Sequence, residues 1–228
     1  MHKNIQHIFF DLDHTLWDFD KNSGLTFGKI FEIHEVDVSL EKFLNVYEPI
    51  NFKYWKLYRE EKVTKQELRY GRLKDTFNEI DISLSDQLID NLSEDYIVYL
   101  SSFNYVFDST YDVLDYLNAK YELHIITNGF EEAQEKKMKA SNLRKYFSTV
   151  TNSEMVGVKK PNPKIFNFAM DLANAKPEHS VMIGDSLEAD IKGAIDVGMQ
   201  ALYFDYKNSD YNDSYQRITH LSALKDLF

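Results

Sequence analysis

The 228-residue chain predicts an α/β fold, a parallel sheet core interrupted by an inserted bundle of helices, and three observations carry that expectation. From Ser109 onward, apolar runs of strand length alternate with helical segments, which implies right-handed crossovers and a parallel sheet covered by helices on both faces. Between the first apolar run and that alternation lies a long stretch with helical rhythm and no strand pattern. Three separate apolar runs end in polar clusters, DLD, TNG and GDS, and in an open parallel sheet such C-terminal tips share the edge that binds ligands. The expected layout is a Rossmann-like core from residues 1–16 and 106–228, with residues 17–105 as the helical insert.

The first strand is read from Ile8–Leu16, IFFDLDHTL, whose apolar run stops abruptly at two aspartates. In the insert, Asn22 or Ser23 is expected to cap a helix carrying Leu25, Phe27, Ile30, Phe31 and Ile33. Ser39 caps a second, with Phe43, Val46, Tyr47 and Ile50 on its apolar side. Thr64 with Glu67 three residues on is a capping box for a third, and Ser85 begins a fourth with Leu88, Leu92 and Tyr96 inward. Four amphipathic helices with short links suggest a small bundle. Its aromatics, among them Phe52, Tyr54, Trp55, Tyr58 and Tyr70, with Trp17 at its edge, either fill the core or include one or two that stack on a substrate ring.

Beyond the insert, a helix through Tyr111, Val113, Leu114 and Leu117 leads into the strand ELHIITNG. A helix over Glu131–Ser141 and a short strand near Thr149–Thr151 follow, then the apolar helix IFNFAMDLA after Lys159, Lys160 and Pro161. The strand SVMIGDS, a helix over Leu187–Val197, the strand MQALYF, a polar loop DYKNSDYNDSYQ and a terminal helix LSALKDLF complete the pattern.

Alternate strand residues share a face, so Asp11 and Asp13 would point the same way if the strand continued. Two like charges so close are costly unless a cation or a shared proton relieves them. Carboxylate oxygens together with a phosphate suit Mg2+, so the pair reads as a phosphate-chemistry site; the competing reading is an Asx turn. Asp185 adds a third carboxylate at another strand tip. Thr127 offers a hydroxyl beside free amides, Gly129 lets the backbone turn closely around an anion, and Lys160 brings a fixed positive charge.

Composition narrows the partners. A formal charge of −11 opposes binding to polymeric nucleic acid, which needs a basic surface, but allows a small phosphate ester held by a local cation. The absence of cysteine removes disulfides, thiolate catalysis and cysteine-ligated zinc. The N-terminal apolar run is too short for a signal peptide and no apolar stretch approaches a membrane span, so a cytoplasmic location with no membrane partner is expected.

Taken in order, DLDHT, TNG, KKP and GDSLEAD resemble the four signature motifs of the haloacid dehalogenase superfamily, in its magnesium-dependent phosphatase branch. The helical insert stands where members with a helical cap domain carry it. Residues Asn51–Tyr58, Gly71–Leu73 and the stretch ITNGF are similar to the pyrimidine 5′-nucleotidase group. His14 departs from the wider pattern, where many members have glycine.

The resemblance implies a phosphatase with Asp11 as nucleophile, forming an aspartyl-phosphate, and Asp13 as general acid and base. It implies Mg2+ held by Asp11, Asp185 and the backbone carbonyl of Asp13, with Asp190 behind them orienting a water or Lys160. Lys160, Thr127 and the amide of Asn128 would hold the phosphoryl oxygens. A pyrimidine nucleoside monophosphate is the expected ligand, with Phe130 and Trp55 as aromatics for the base. A sugar phosphatase or phosphomutase shares the motifs, and a non-catalytic binding module is the reading from another class. A dehalogenase needs neither Asp13 nor Asp185, and a phosphonate hydrolase needs a lysine such as Lys53 or Lys56 that nothing singles out.

Overall fold

The structure, a computed structural model, describes residues 4–209 and 215–228. The chain divides into two compact units, Met1–Phe19 with Asn104–Phe228, and Asp20–Phe103.

The second unit is made of four helices, α1 (Phe19–Ile33), α2 (Leu40–Arg59), α3 (Lys65–Glu79) and α4 (Asp86–Tyr99). Ser39 and Ser85 cap α2 and α4 by accepting from the amides of Lys42 and Leu88. Thr64 and Glu67 form the reciprocal capping box of α3, satisfying backbone donors that would otherwise lack partners. The start of α1 corrects the sequence reading: the helix begins at Phe19, and Asn22 and Ser23 are buried inside it, with the Ser23 hydroxyl 2.9 Å from that of Tyr96. Leu25 and Ile33 turn outward, so the inner face is Phe27, Ile30 and Phe31.

The core of this unit is aromatic, but the rings in it are not the six weighed from the sequence. Phe27 lies 4.6–5.7 Å from the ring centroids of Phe31, Phe43, Tyr47 and Tyr96, and Phe77 closes the cluster against Phe31 and Phe43. Phe52 is 66% exposed and Trp17 belongs to the other unit. Gly71 and Arg72, read as nucleotidase-like, have roles inside this unit. A side chain at Gly71 would strike the Tyr54 ring, while the buried Arg72 donates to Oδ1 of Asn51 (2.9 Å) and covers the Tyr96 ring at 4.9 Å.

Among the described residues, the first unit is built on six parallel strands, β1 (His7–Phe10), β2 (Glu122–Thr127), β3 (Thr149–Asn152), β4 (Ser180–Gly184), β5 (Gln200–Phe204) and β6 (Arg217–Ile218), in the order β3-β2-β1-β4-β5-β6. Its helices are α5 (Thr110–Asn118), α6 (Glu131–Ala140), α7 (Ser153–Val156), α8 (Pro163–Leu172), α9 (Gly193–Asp196) and α10 (Leu224–Leu227). Phe9, Ile126 and Met182 form one core with Ile165, Phe166 and Met170 of α8. The alternate residues Ile8, Phe10, Leu123 and Ile125 point to the other face and are equally buried.

Three details differ from expectation. The short pair β6 and the single turn α7 carry too little pattern to be read from sequence. The helix expected over Leu187–Val197 opens as a wide π-type turn at Leu187–Lys192 before α9. Residues 210–214 of the expected polar loop lie outside the described residues. Among the described residues, no helix is long and apolar enough to cross a membrane.

Candidate active site

In this strand order the chain runs one way from β1 to β2 and β3 and the other way through β4 and β5, so the topological switch lies between β1 and β4. Asp11 follows β1 directly and its amide donates to Ile183 O (2.9 Å), which sets it beside the end of β4, where Asp185 stands. The strand stops at Phe10, so Asp13 reaches the site from the turn after it and pairs with Trp17 in an isolated bridge. His14 in that turn has φ 59°, a left-handed conformation that glycine adopts freely, and its ring is held by stacking on Tyr206 and a 2.9 Å contact with that hydroxyl. The departure from glycine is thereby accommodated.

Lys160 is the hub. Its fully buried ammonium donates to Asp11 Oδ1 (2.8 Å), Asp190 Oδ1 (2.6 Å) and Ile126 O (2.7 Å), which uses all three of its protons. Asn128 has a second task beside the one expected of its backbone amide. Its side chain accepts from Lys160 N (2.7 Å) and donates to Lys160 O (3.0 Å), pinning the lysine backbone to the end of β2. At Gly129 φ is not left-handed, and the missing side chain leaves the space that Gln134 fills.

Two residues of α6 went unread in the sequence. Lys137 donates to Asp13 Oδ1 (2.6 Å), and Gln134 donates to Asp13 Oδ2 (2.9 Å) and to Thr127 Oγ1 (2.7 Å). They sit at i and i+3 and so share a helix face, but in a segment holding Lys136, Lys137 and Lys139 only the facing direction selects one.

The carboxylates Asp11, Asp13, Asp185 and Asp190 thus meet two ammonium groups, Lys137 and Lys160. Burial pushes the Asp11 carboxyl up to about 7, Lys160 pulling against this and the neighbouring Asp190 and Asp13 adding to it. Burial, with Asp11 and Asp190 close by, holds Asp185 well above the usual carboxylate range. Burial would lower Lys160, but the charges of Asp11 and Asp190 outweigh it and the lysine is raised.

Carboxyls whose ionisation burial opposes, with oxygen donors of Asp11, Asp185 and Asp190 within 4.8 Å of one another, suit a hard divalent cation, whose charge favours their ionised form. Both carboxylate oxygens of Asp190 are already engaged, by Lys160 and by Ser186 N (3.0 Å), so Asp11 and Asp185 are the candidate direct carboxylate ligands. Asp13 differs: both its carboxylate oxygens are taken by α6, so only its backbone carbonyl is available to a metal.

The structure therefore brings Asp11, Asp13, Thr127, Asn128, Lys160, Asp185 and Asp190 to one end of one sheet. Phe130 is buried at the head of α6, while Trp55 belongs to the helical unit, where it meets Tyr58 edge-on at 5.8 Å.

This fold and acidic switch point define a class, and the comparison with known proteins agrees: residues 5–198 match the haloacid dehalogenase-like hydrolases, and the chain belongs to that family and is an enzyme. It is 29% identical to the pyrimidine 5′-nucleotidase YjjG of Escherichia coli, over 96% of this chain and 95% of that protein. It is 30% identical to the pyrimidine 5′-nucleotidase PynA of Streptococcus pneumoniae, over 96% and 92%. Among solved structures, the magnesium-bound putative hydrolase YfnB of Bacillus subtilis superposes with a TM-score of 0.88 at 27% identity, covering 99% of both chains.

Proposed function

We propose that the chain hydrolyses phosphate monoesters with the aid of Mg2+, and that its substrates are pyrimidine nucleoside 5′-monophosphates. The observation that carries the phosphatase reading is the Asp11–Lys160–Asp190 chain beside Asp185, a nucleophile with a cation at 2.8 Å and, next to it, a buried carboxyl whose ionised form needs a further cation. Support for the nucleotide comes from the two nucleotidases that match nearly the whole chain.

In this reading an oxygen of Asp11 attacks phosphorus in line and the ester oxygen leaves, taking a proton from Asp13. Water then attacks the phosphorus of the aspartyl-phosphate and gives its proton to Asp13, which frees Asp11 and inorganic phosphate. The Thr127 hydroxyl and the Asn128 backbone amide face the phosphoryl oxygens, where charge collects in a loose transition state, and Lys160 adds its positive charge from beside Asp11. Mg2+ held by Asp11, Asp185 and the Asp13 carbonyl supplies neutralising charge and polarisation of the phosphoryl group. Lys137 and Gln134 keep Asp13 in place between these steps.

The helical unit is read as the cap that selects the ester, and Phe130 and Trp55 as the aromatics that favour a flat base. Phosphate release with Mg2+ from thymidine or uridine monophosphate, a purine monophosphate and a hexose phosphate tests the proposal. The pyrimidine nucleotides are expected to give the highest kcat/KM. A preference for the hexose phosphate would replace the nucleotidase by a sugar phosphatase or mutase, and no turnover on any ester would leave a binding module.

A further inference from the structure

The end of the sheet opposite Asp11 carries a second group of ligand-type side chains. His7 opens β1 and is in register with Glu122, which opens β2, and His124 follows two residues later, so all three share one sheet face. Nδ1 of His7 lies 3.1 Å from Nε2 of His124 and 4.0 Å from Oε2 of Glu122, and one ligand atom from each of the three falls within 4.8 Å of the others. Two imidazole nitrogens on one tetrahedral zinc ion stand about 3.3 Å apart, given bonds of about 2.0–2.1 Å, so the ring nitrogens already have nearly the required spacing.

The surroundings fit as well. Nδ1 of the buried His124 is 2.9 Å from the Thr149 hydroxyl. With Nδ1–H donating there, the lone pair sits on Nε2, the tautomer a ligand needs, and ligating histidines usually have such a partner behind them. Glu122 is largely exposed, and with His7 it lines a cleft of about 400 Å³ that gives water room to complete a coordination shell. The ammonium of Lys120, also on that cleft, is drawn aside over the Tyr116 ring at 3.7 Å.

We propose that His7, His124 and Glu122 form a second metal site, for a zinc-class transition ion with water as the remaining ligand, tying the starts of β1 and β2 together. It is independent of the phosphatase reading, because its two imidazoles and one carboxylate differ in donor type from the all-oxygen group at Asp11 and Asp185.

The test is calorimetric titration of Zn2+ and visible absorption of Co2+ in excess Mg2+, on the wild-type chain and on Asp185→Asn, which weakens the carboxylate site. The expected result is one equivalent of Zn2+ bound in Asp185→Asn, with tetrahedral Co2+ bands and a higher Tm on zinc addition. His7→Gln and Glu122→Gln, each added to that background, should weaken zinc binding at least roughly tenfold. Because Glu122 is exposed, its variant keeps the test open even where a histidine variant fails to fold. Undiminished zinc affinity in both variants, or no zinc bound by Asp185→Asn, would overturn the site and leave His7 and His124 as a plain hydrogen-bonded pair.

Discussion

The ammonium of Lys137 stands 2.6 Å from Oδ1 of Asp13 and 4.4 Å from the centroid of the Trp17 ring. It is buried, and Gln134 takes the other carboxylate oxygen, so the orientation of Asp13 is set by a helix far along the chain. Lys137→Met should leave Asp13 loosely held and cost roughly 10²-fold in kcat on a nucleotide, with a smaller loss on p-nitrophenyl phosphate, whose leaving group needs less protonation. Steady-state kinetics on both esters checks this. Equal losses would show that Lys137 does not act through Asp13.

Asp11→Asn is nearly isosteric and keeps Lys160 paired with Asp190. Turnover should vanish while the Tm changes little, since the substitution removes a carboxylate whose ionisation burial already opposes. A variant retaining a tenth of wild-type activity, with the circular dichroism unchanged, would exclude Asp11 as nucleophile.

The Asp11 carboxyl rises from 3.8 to about 7 on folding, so between those values the folded chain binds more protons than the unfolded one. In metal-free protein this contribution to stability is complete below the unfolded value and is lost as pH rises through about 7; Asp185 acts in the same direction. Mg2+ binds the ionised form, so its stabilisation should grow as pH rises from 6 to 8 and its binding should release protons. Thermal shifts with and without Mg2+, and calorimetry in buffers of different ionisation enthalpy, measure both. A Mg2+ shift independent of pH would mean that Asp11 is not a ligand.

Gly184 has no room for a side chain, because a Cβ there would strike the Asp190 carboxylate. Gly184→Ala should push Asp190 off Lys160, lowering stability by about 1–3 kcal/mol, as overpacking of a filled interior does. Activity should fall with it, because Asp190 holds the lysine beside Asp11. Denaturant unfolding together with kinetics checks the pairing of the two losses.

The architecture was readable because it rests on local pattern. Apolar runs of strand length between amphipathic segments allow few arrangements other than a parallel sheet with crossovers. Ser39, Thr64 and Ser85 announced three helix starts because a cap acts through its own first turn. The start of α1 was misread because Asn22 and Ser23 have capping chemistry yet are buried in the bundle, where tertiary contacts such as Ser23 to Tyr96 decide.

By itself the sequence determined that Asp11 and Asp185 directly follow apolar strands, with Asp13 in the turn after the first and Lys160 just ahead of a helix, because a strand that runs out of apolar residues must end near the sheet edge. It left open which side chains turn toward those tips from elsewhere. That Lys137, and not Lys136 or Lys139, pairs with Asp13 depends on the rotation of α6 against the sheet. That Asn128 grips the Lys160 backbone, and that Gly129 and Gly184 are empty to admit Gln134 and Asp190, depend on how separate segments pack. Such contacts join residues distant in the chain and leave no period or spacing in the sequence, so only the folded arrangement decides them.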